Sequence, residues 1–262
     1  MPEVKITFDA ADDYERFMGA WSRAIGERFL DWLEPPARAQ WLDVGCGTGA
    51  FSELILRRRA PKSLDGVDPS PAQVDHARKA LPGPAFRTGD AMALPYADGT
   101  FDIVASALVL HFIPDRRQAF AEMKRVLRSG GRVGGYTWKR TAAENFAPYA
   151  PIMLGVASIG GEQQTSPLVA EGTAEGMHAS LAAAGFIEIA TTEIEVTRTF
   201  ANFDEYWDIQ CIPFSPPGRT IASLTDAQRG KLRDVMRARM TPAADGSITY
   251  AATAMAGKAR KP

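Results

Sequence analysis

The chain has 262 residues, of which 45% are hydrophobic and 23% charged, with a net charge of -1. That composition suits a soluble globular protein, and the length suits one large domain or a core carrying a modest insertion or cap. A chain this close to neutral has no global field to draw in nucleic acid or anionic lipid, which argues against both as partners.

The opening MPEVKITFDAADDYERF lacks the apolar stretch of a secretory signal. No apolar run approaches the ~20 residues of a membrane helix, so no membrane span is expected and the cytoplasm is the expected location. Residues 14–32 read as an amphipathic helix, with Phe17, Trp21, Ile25, Phe29 and Trp32 spaced for one face, and Pro35-Pro36 ends it.

From residue 37 to about 139, short apolar runs alternate with helical patterns. That alternation signals βαβ units around a parallel sheet. Strands are expected at 39–44, 63–68, 85–88, 103–107 and 132–137, with helices at 49–58, 71–81 and 115–127. Ser70 can cap the second helix with Pro71 as its first residue. Ser129-Gly130-Gly131 reads as a helix stop and turn after the third. The triplet Arg57-Arg58-Arg59 falls in a last helical turn, where cations complement the dipole.

Residues 140–178 are rich in Ala, Gly and Pro with weak periodicity, which suggests helical pieces and loops. A helix end is expected at 180–185, a strand at 187–196, a helix at 225–240 and a last strand at 247–256 after the Asp245-Gly246 turn. The segments 187–196 and 247–256 are candidates for an antiparallel edge. The cluster Phe200, Phe203, Tyr206, Trp207, Ile209 and Phe214 reads as the core of a cap. The basic tail Lys258-Ala259-Arg260-Lys261 reads as structural.

The chemistry concentrates where Trp41-Leu42-Asp43-Val44 runs into Gly45-Cys46-Gly47-Thr48-Gly49. Glycines let the backbone turn sharply and let a ligand lie against it, and the helix that follows offers N-terminal amides to that ligand. Gly45, Gly47 and Ala50 also satisfy the dinucleotide pattern, with Asp68 at the distance of a ribose-binding acid. A nicotinamide cofactor therefore stays open at this point. Two further strand ends carry acids, Asp68 in Leu64-Asp65-Gly66-Val67-Asp68-Pro69-Ser70 and Asp90 in Thr88-Gly89-Asp90-Ala91. A carboxylate at the first can accept from both ribose hydroxyls, and one at the second from an adenine amine. Asp102 introduces the apolar strand Ile103-Val104-Ala105-Ser106-Ala107 and reads as structural.

The set DVGCGTG, GVDPS, GDAMALPYADGTFDIV and LVLHFIPD, in this order, resembles the core of class I S-adenosylmethionine-dependent methyltransferases. It is most similar to the small-molecule branch that includes ubiquinone and menaquinone methylation. The resemblance is strong over about residues 35–140 and weaker in YERFMGAWS and DGSITYAATA. It implies an α/β, Rossmann-like, doubly wound and mostly parallel seven-stranded sheet with an antiparallel last strand. It also implies a helical N-terminal lid over 1–34 and a methyltransferase domain over 35–262, with substrate-side insertions at about 140–180 and 200–242.

By the same resemblance, Gly45 and Gly47 line the methionine and ribose part of S-adenosylmethionine, and Asp68 holds the ribose hydroxyls. Pro69 and Gln73 flank the adenine, Asp90 and Ala91 contact it, and Ala107 lies beneath the sulfonium end. Tyr14 and Trp21 close over the cofactor, while Asp43 supports the glycine turn.

His111 follows the fourth strand, near where an acceptor should lie, and is the candidate general base; a hydrogen-bonded packing role is the alternative. Trp138 reads as a core residue or a pocket wall, and Arg198 and Arg219 are weaker candidates for an acidic substrate. Neither Cys46 nor Cys211 sits in a metal-ligand spacing, so no metal is expected. The expected activity is methyl transfer to a small molecule of unspecified identity. The alternatives are a nicotinamide-dependent oxidoreductase and a non-catalytic S-adenosylmethionine-binding module.

Overall fold

A computed structural model describes residues 15–141, 145–161, 168–213 and 215–262. Seven strands form one sheet: β1 (Gln40–Val44), β2 (Ser63–Asp68), β3 (Ala85–Thr88), β4 (Phe101–Ala107), β5 (Leu127–Trp138), β6 (Ile187–Phe200) and β7 (Ile248–Arg260), in the order β3-β2-β1-β4-β5-β7-β6. The pairs from β3 across to β5 are parallel, and β7 runs antiparallel to both β5 and β6. The chain builds outward from β1 in one direction, then returns to β4 and builds in the other. The gap above β1 and β4 is therefore the switch point at which open α/β sheets bind ligands.

The helices are α1 (Ala20–Leu33, preceded by a π-helical turn over Glu15–Gly19), α2 (Ala50–Arg59), α3 (Pro71–Ala80), α4 (Arg116–Val126), α5 (Ala150–Ser158), α6 (Ala174–Ala183), α7 (Phe203–Gln210), α8 (Pro216–Ser223) and α9 (Asp226–Arg239). Their starts follow local chemistry. Ser70 accepts from the Gln73 amide behind Pro71, Asp115 accepts from the Gln118 amide, and Thr225 with Gln228 forms a reciprocal capping box. Among the described residues no helix is long and apolar enough to cross a membrane.

Alternation along the strands feeds two apolar layers. On β4, Ile103 and Ala105 enter one cluster and Val104 the other; on β1, Trp41 faces the first and Leu42 and Val44 the second. The first layer is closed by α1, whose Trp21, Ile25, Phe29 and Leu33 recur every fourth residue and are buried. Gly26 lets α1 approach α2 closely: a Cβ there would lie 2.7 Å from Leu54 Cδ2. Ion pairs from Arg57, Arg58 and Arg59 to Glu27 and Asp31 tie the same two helices at the surface. The tail is structural as well, since Lys258 reaches the Trp32 carbonyl and Lys261 the Leu127 carbonyl.

Two expectations change. Ser129-Gly130-Gly131 does not make a turn after α4; the chain passes directly from Val126 into β5 at Leu127. The β4–β5 ladder absorbs these residues as a bulge, pairing Phe101 with Leu127 and Ile103 with Arg132, with Gly130 at φ 78°. The strands expected at 187–196 and 247–256 do pair antiparallel, and they run on as a longer ribbon that pairs Phe200 with Ile248 at one end and Ile187 with Arg260 at the other. The aromatic cluster packs at the end of that ribbon: Phe200, Phe203, Tyr206, Trp207 and Ile209 are buried, whereas Phe214 lies outside the described residues. Trp138, only 5% exposed, belongs to the core rather than to a pocket wall.

Candidate functional site

β1 hands the chain to α2 through residues 45–49. Gly45, Gly47 and Gly49 all take left-handed conformations, with φ of 75°, 55° and 94°. At Gly45 the requirement is also steric, because a Cβ would lie 2.5 Å from both Val109 Cγ atoms on the segment after β4. The loop spends its amides inside the protein. Gly45 and Cys46 donate to the Val67 carbonyl at 2.7 and 3.1 Å, Gly49 to the Cys46 carbonyl at 2.9 Å, and Gly47 to Asp68 Oδ2 at 3.1 Å. These four therefore do not form an anion cradle.

Asp68, at the end of β2, is only 9% exposed. Its Oδ2 takes the Gly47 amide and its Oδ1 the Ser70 amide at 2.9 Å, so both oxygens are oriented. Burial raises its pKa, and those two amides oppose the rise. A carboxylate offers about four lone-pair directions, so acceptor capacity remains for a ligand. Gln73, on α3, stands over the loop with its side-chain oxygen 2.8 Å from where a Cβ of residue 47 would be.

Beneath the loop lies Asp43, fully buried, with Oδ2 accepting from Ser52 Oγ at 2.6 Å and Oδ1 without a partner among the described residues. Burial, with a smaller contribution from the charge of Asp68, pushes its pKa up to about 7 against the opposing Ser52 hydrogen bond. Asp43 is not on the wall of the cavity above it.

That cavity measures about 480 Å³, within the range of small-molecule sites. Residues 45–48, 68–71, 107–109 and Gln73 form one part of its wall, and Ser22, Arg23, Phe51, Leu54, Phe112 and Tyr136 the other. Of the residues singled out from the sequence, Gly45, Gly47, Asp68, Pro69, Gln73 and Ala107 meet on this wall.

The others do not. Trp21 is 1% exposed, with its ring 5.1 Å from that of Tyr250, so it is a core residue rather than a lid. Tyr14 lies outside the described residues. Asp90 is exposed and closes its own turn by accepting from the Met92 amide at 2.8 Å, while Ala91 packs against the second apolar layer. Both share the sheet edge with Asp68 but stand outside the enclosed volume.

His111 sits behind the wall. Its Nδ1 is 3.2 Å from Thr137 Oγ1, and its ring lies 4.0 Å from that of Phe112, which does line the cavity. Desolvation first, and the charge of Arg140 second, lower its pKa to about 4, so the imidazole is neutral at ordinary pH. Arg198 donates to the carbonyls of Arg16 and Phe17 at 3.1 and 3.2 Å and is engaged in holding the turn before α1.

Among the wall residues that sequence reasoning missed are Ser22, Arg23, Phe51, Leu54, Phe112 and Tyr136. Ser22 and Arg23 follow Trp21 on one helix, and the apolar periodicity that picks out Trp21 carries no signal for the residues beside it. Phe51, Leu54 and Tyr136 are apolar residues in regular elements, indistinguishable from core until the packing is known. Phe112 is 47% exposed, unusual for its type, at the mouth of the cavity.

Comparison with known proteins agrees with this geometry. The methyltransferase domain family matches residues 42–134. An uncharacterized methyltransferase of Mycobacterium tuberculosis is 39% identical over 107 residues, covering 40% of this chain and 42% of that protein. The ubiquinone/menaquinone biosynthesis C-methyltransferase UbiE of Roseobacter denitrificans is 36% identical over 113 residues, covering 41% and 45%. The chain thus matches less than half the length of either relative. Among solved structures, a phosphoethanolamine N-methyltransferase of Haemonchus contortus in complex with S-adenosylhomocysteine superposes with a TM-score of 0.59 at 16% identity, over 97% of this chain and 58% of that one. The strand order and the sequence match coincide on the same residues: residues 42–134 are similar to the methyltransferase domain family, and the seven-stranded sheet that holds them has the Rossmann-like fold of the solved methyltransferases.

Proposed function

We propose that the protein transfers a methyl group from S-adenosylmethionine to a small-molecule acceptor. The observation that carries this reading is a cavity at the switch point, with an oriented carboxylate on one part of its wall and an aromatic, apolar surface on another. Asp68 takes the ribose hydroxyls, Gly45 and Gly47 pass beneath the cofactor, and Pro69 and Gln73 flank its adenine. Ala107 lies under its sulfur end, and Asp90 with Ala91 meets the adenine beyond the enclosed part. The cofactor supplies a methyl group that is already electrophilic. What the protein must add is an acceptor held in line and kept dry. Phe51, Leu54, Phe112 and Tyr136 provide such a surface. His111 acts here by positioning Phe112 at the mouth, since a neutral imidazole hydrogen-bonded to Thr137 and absent from the wall is poorly placed to take a proton.

The nicotinamide reading is disfavoured by the loop itself. A dinucleotide site uses glycine-loop amides on the pyrophosphate. In this chain the amides at Gly45, Cys46, Gly47 and Gly49 are already occupied. The near-neutral charge supports an acceptor other than nucleic acid. On this reading the segments around α5 and over α7 to α9 serve as the cap on the substrate side.

The test is calorimetric titration with S-adenosylhomocysteine and, in parallel, NADH. Micromolar binding of the first alone supports the reading, and binding of NADH alone overturns it. Transfer of tritiated methyl from labelled cofactor to a panel of phenols, amines and carboxylic acids then identifies the acceptor class.

A further inference from the structure

Residues 108–113, between β4 and α4, shape the mouth of the cavity and give Leu108, Val109 and Phe112 to its wall. The loop starts in a strained conformation, since Leu108 takes a left-handed φ of 58°. A side chain with a Cβ is unfavourable there, and such strain persists only where the surroundings over-determine it. Two anchors come from β5. Leu108 donates its amide to the Tyr136 carbonyl at 2.9 Å, and His111 Nδ1 lies 3.2 Å from Thr137 Oγ1. A third is Arg116, the first residue of α4, whose Nη1 donates to the Ile113 carbonyl at 2.9 Å.

Arg116 is itself placed from a distant part of the chain. Its Nε lies 3.0 Å from Oε2 of Glu171, in the short 3-10 helix Ala170–Gly172 that precedes α6. Glu171 is 2% exposed, and its Oε1 accepts from Ser180 Oγ on α6 at 2.6 Å. The Arg140 amide, just beyond β5, donates to the Gly172 carbonyl at 3.3 Å and seats the same short helix. A carboxylate so removed from water is costly to fold, and apolar residues of the same volume often stabilise as well as such a pair. What the pair adds is a demanding geometry, because removing one partner leaves the other unmatched. That geometry runs from Ser180 through Glu171 and Arg116 to the Ile113 carbonyl, beside Phe112.

We propose that Glu171 and Arg116 are positioning residues for the acceptor: their ion pair clamps the mouth loop and so keeps Phe112 on the cavity wall. The acceptor's part in this rests on the methyl-transfer reading above; the clamp itself does not.

The experiment is amide hydrogen exchange on the full chain, wild type against Glu171→Gln and Glu171→Gln/Arg116→Gln. Glu171→Gln keeps the shape of the side chain and removes the buried charge, and Arg116, whose side chain is 28% exposed, can then turn to water. The Phe112 and Ile113 amides donate to the Val109 and Leu110 carbonyls. Their exchange should accelerate about tenfold more than that of the β1 and β4 amides. The double variant should match the single one, because Arg116 without Glu171 no longer holds the loop. Arg116→Lys supplies the same comparison if Glu171→Gln does not fold, since an ammonium lacks the fork that serves Glu171 and Ile113 together.

With an acceptor from the tritium-transfer panel, Glu171→Gln should raise the acceptor KM about fivefold or more while S-adenosylhomocysteine affinity stays at the wild-type value. Equal acceleration in loop and core would overturn the proposal by reducing the pair to a stabilising role, and so would an unchanged loop or an unchanged acceptor KM. If the wild-type chain methylated no acceptor, the methyl-transfer reading would fall, and the exchange rates would still decide the clamp.

Discussion

Replacing Asp68 by Asn is the most direct perturbation of the site, because it keeps the shape of the side chain and removes its charge. The wild-type carboxylate is 9% exposed and already holds two amides, at 3.1 and 2.9 Å. Hydrogen bonds to a charged group contribute about 1.5–3 kcal/mol each. The asparagine oxygen can keep one of the bonds to ribose, while its amide nitrogen must turn toward a group that formerly donated. A loss of about 2–3 kcal/mol follows, which is roughly 30- to 150-fold in affinity at about 1.4 kcal/mol per tenfold. Because 5′-methylthioadenosine retains the ribose and lacks only the amino-acid end of S-adenosylhomocysteine, it should weaken by the same factor.

The Gly47 and Ser70 amides keep at most one good acceptor between them. The fold should therefore lose about 1 kcal/mol, a fall of a few degrees in Tm. Isothermal titration and thermal melting measure the two effects separately. Binding of both ligands within threefold of wild type, with the fold intact, would refute the assignment of Asp68 to ribose.

Three other predictions probe the surroundings. The Asp43 carboxyl keeps its proton to about pH 7 when folded, whereas an unfolded Asp titrates near ~4, so the folded state binds more protons between these values. Stability must then drain away as pH rises through that window, and the Tm of wild type relative to Asp43→Asn should fall between pH 5 and 8; a constant difference would remove the buried-proton account. His111 has the opposite sign: a folded pKa of about 4 against ~6.5 unfolded means stability is lost as pH falls from 6.5 toward 4. His111→Asn should flatten that acid limb and leave S-adenosylhomocysteine affinity unchanged, with turnover reduced only modestly. A loss of turnover of a thousandfold or more would restore it as the base. Trp21→Ala should cost about 3–5 kcal/mol as a core truncation, seen as a large drop in denaturant midpoint. A stable variant with weakened cofactor binding would show instead that Trp21 acts as a lid.

The alternation of short apolar runs with helical patterns, the glycines between Val44 and Ala50 and the acid closing the second strand were legible in the amino-acid order. Each is a local requirement: period 2 or 3.6 follows from the geometry of one element, and a left-handed turn into a helix needs glycine whatever surrounds it. These features determined most of the sheet through β5 and the places of Gly45, Gly47 and Asp68 on the cavity wall, whereas Pro69, Gln73 and Ala107 followed only from the resemblance.

Placement between elements distant in sequence was decided only by the tertiary structure. Trp21 and Arg23 stand two residues apart on one helix. The first is buried because its ring meets Tyr250 of the β6–β7 ribbon, which comes from the far end of the chain. The second lines the cavity, on the same helix that Gly26 lets approach Leu54. In the same way His111 faces Thr137 while its neighbour Phe112 takes the wall. Helical spacing states that one face of α1 is buried. Which residue at its edge meets core and which meets ligand depends on how β5, β7 and α2 pack around it, and no local pattern carries that information.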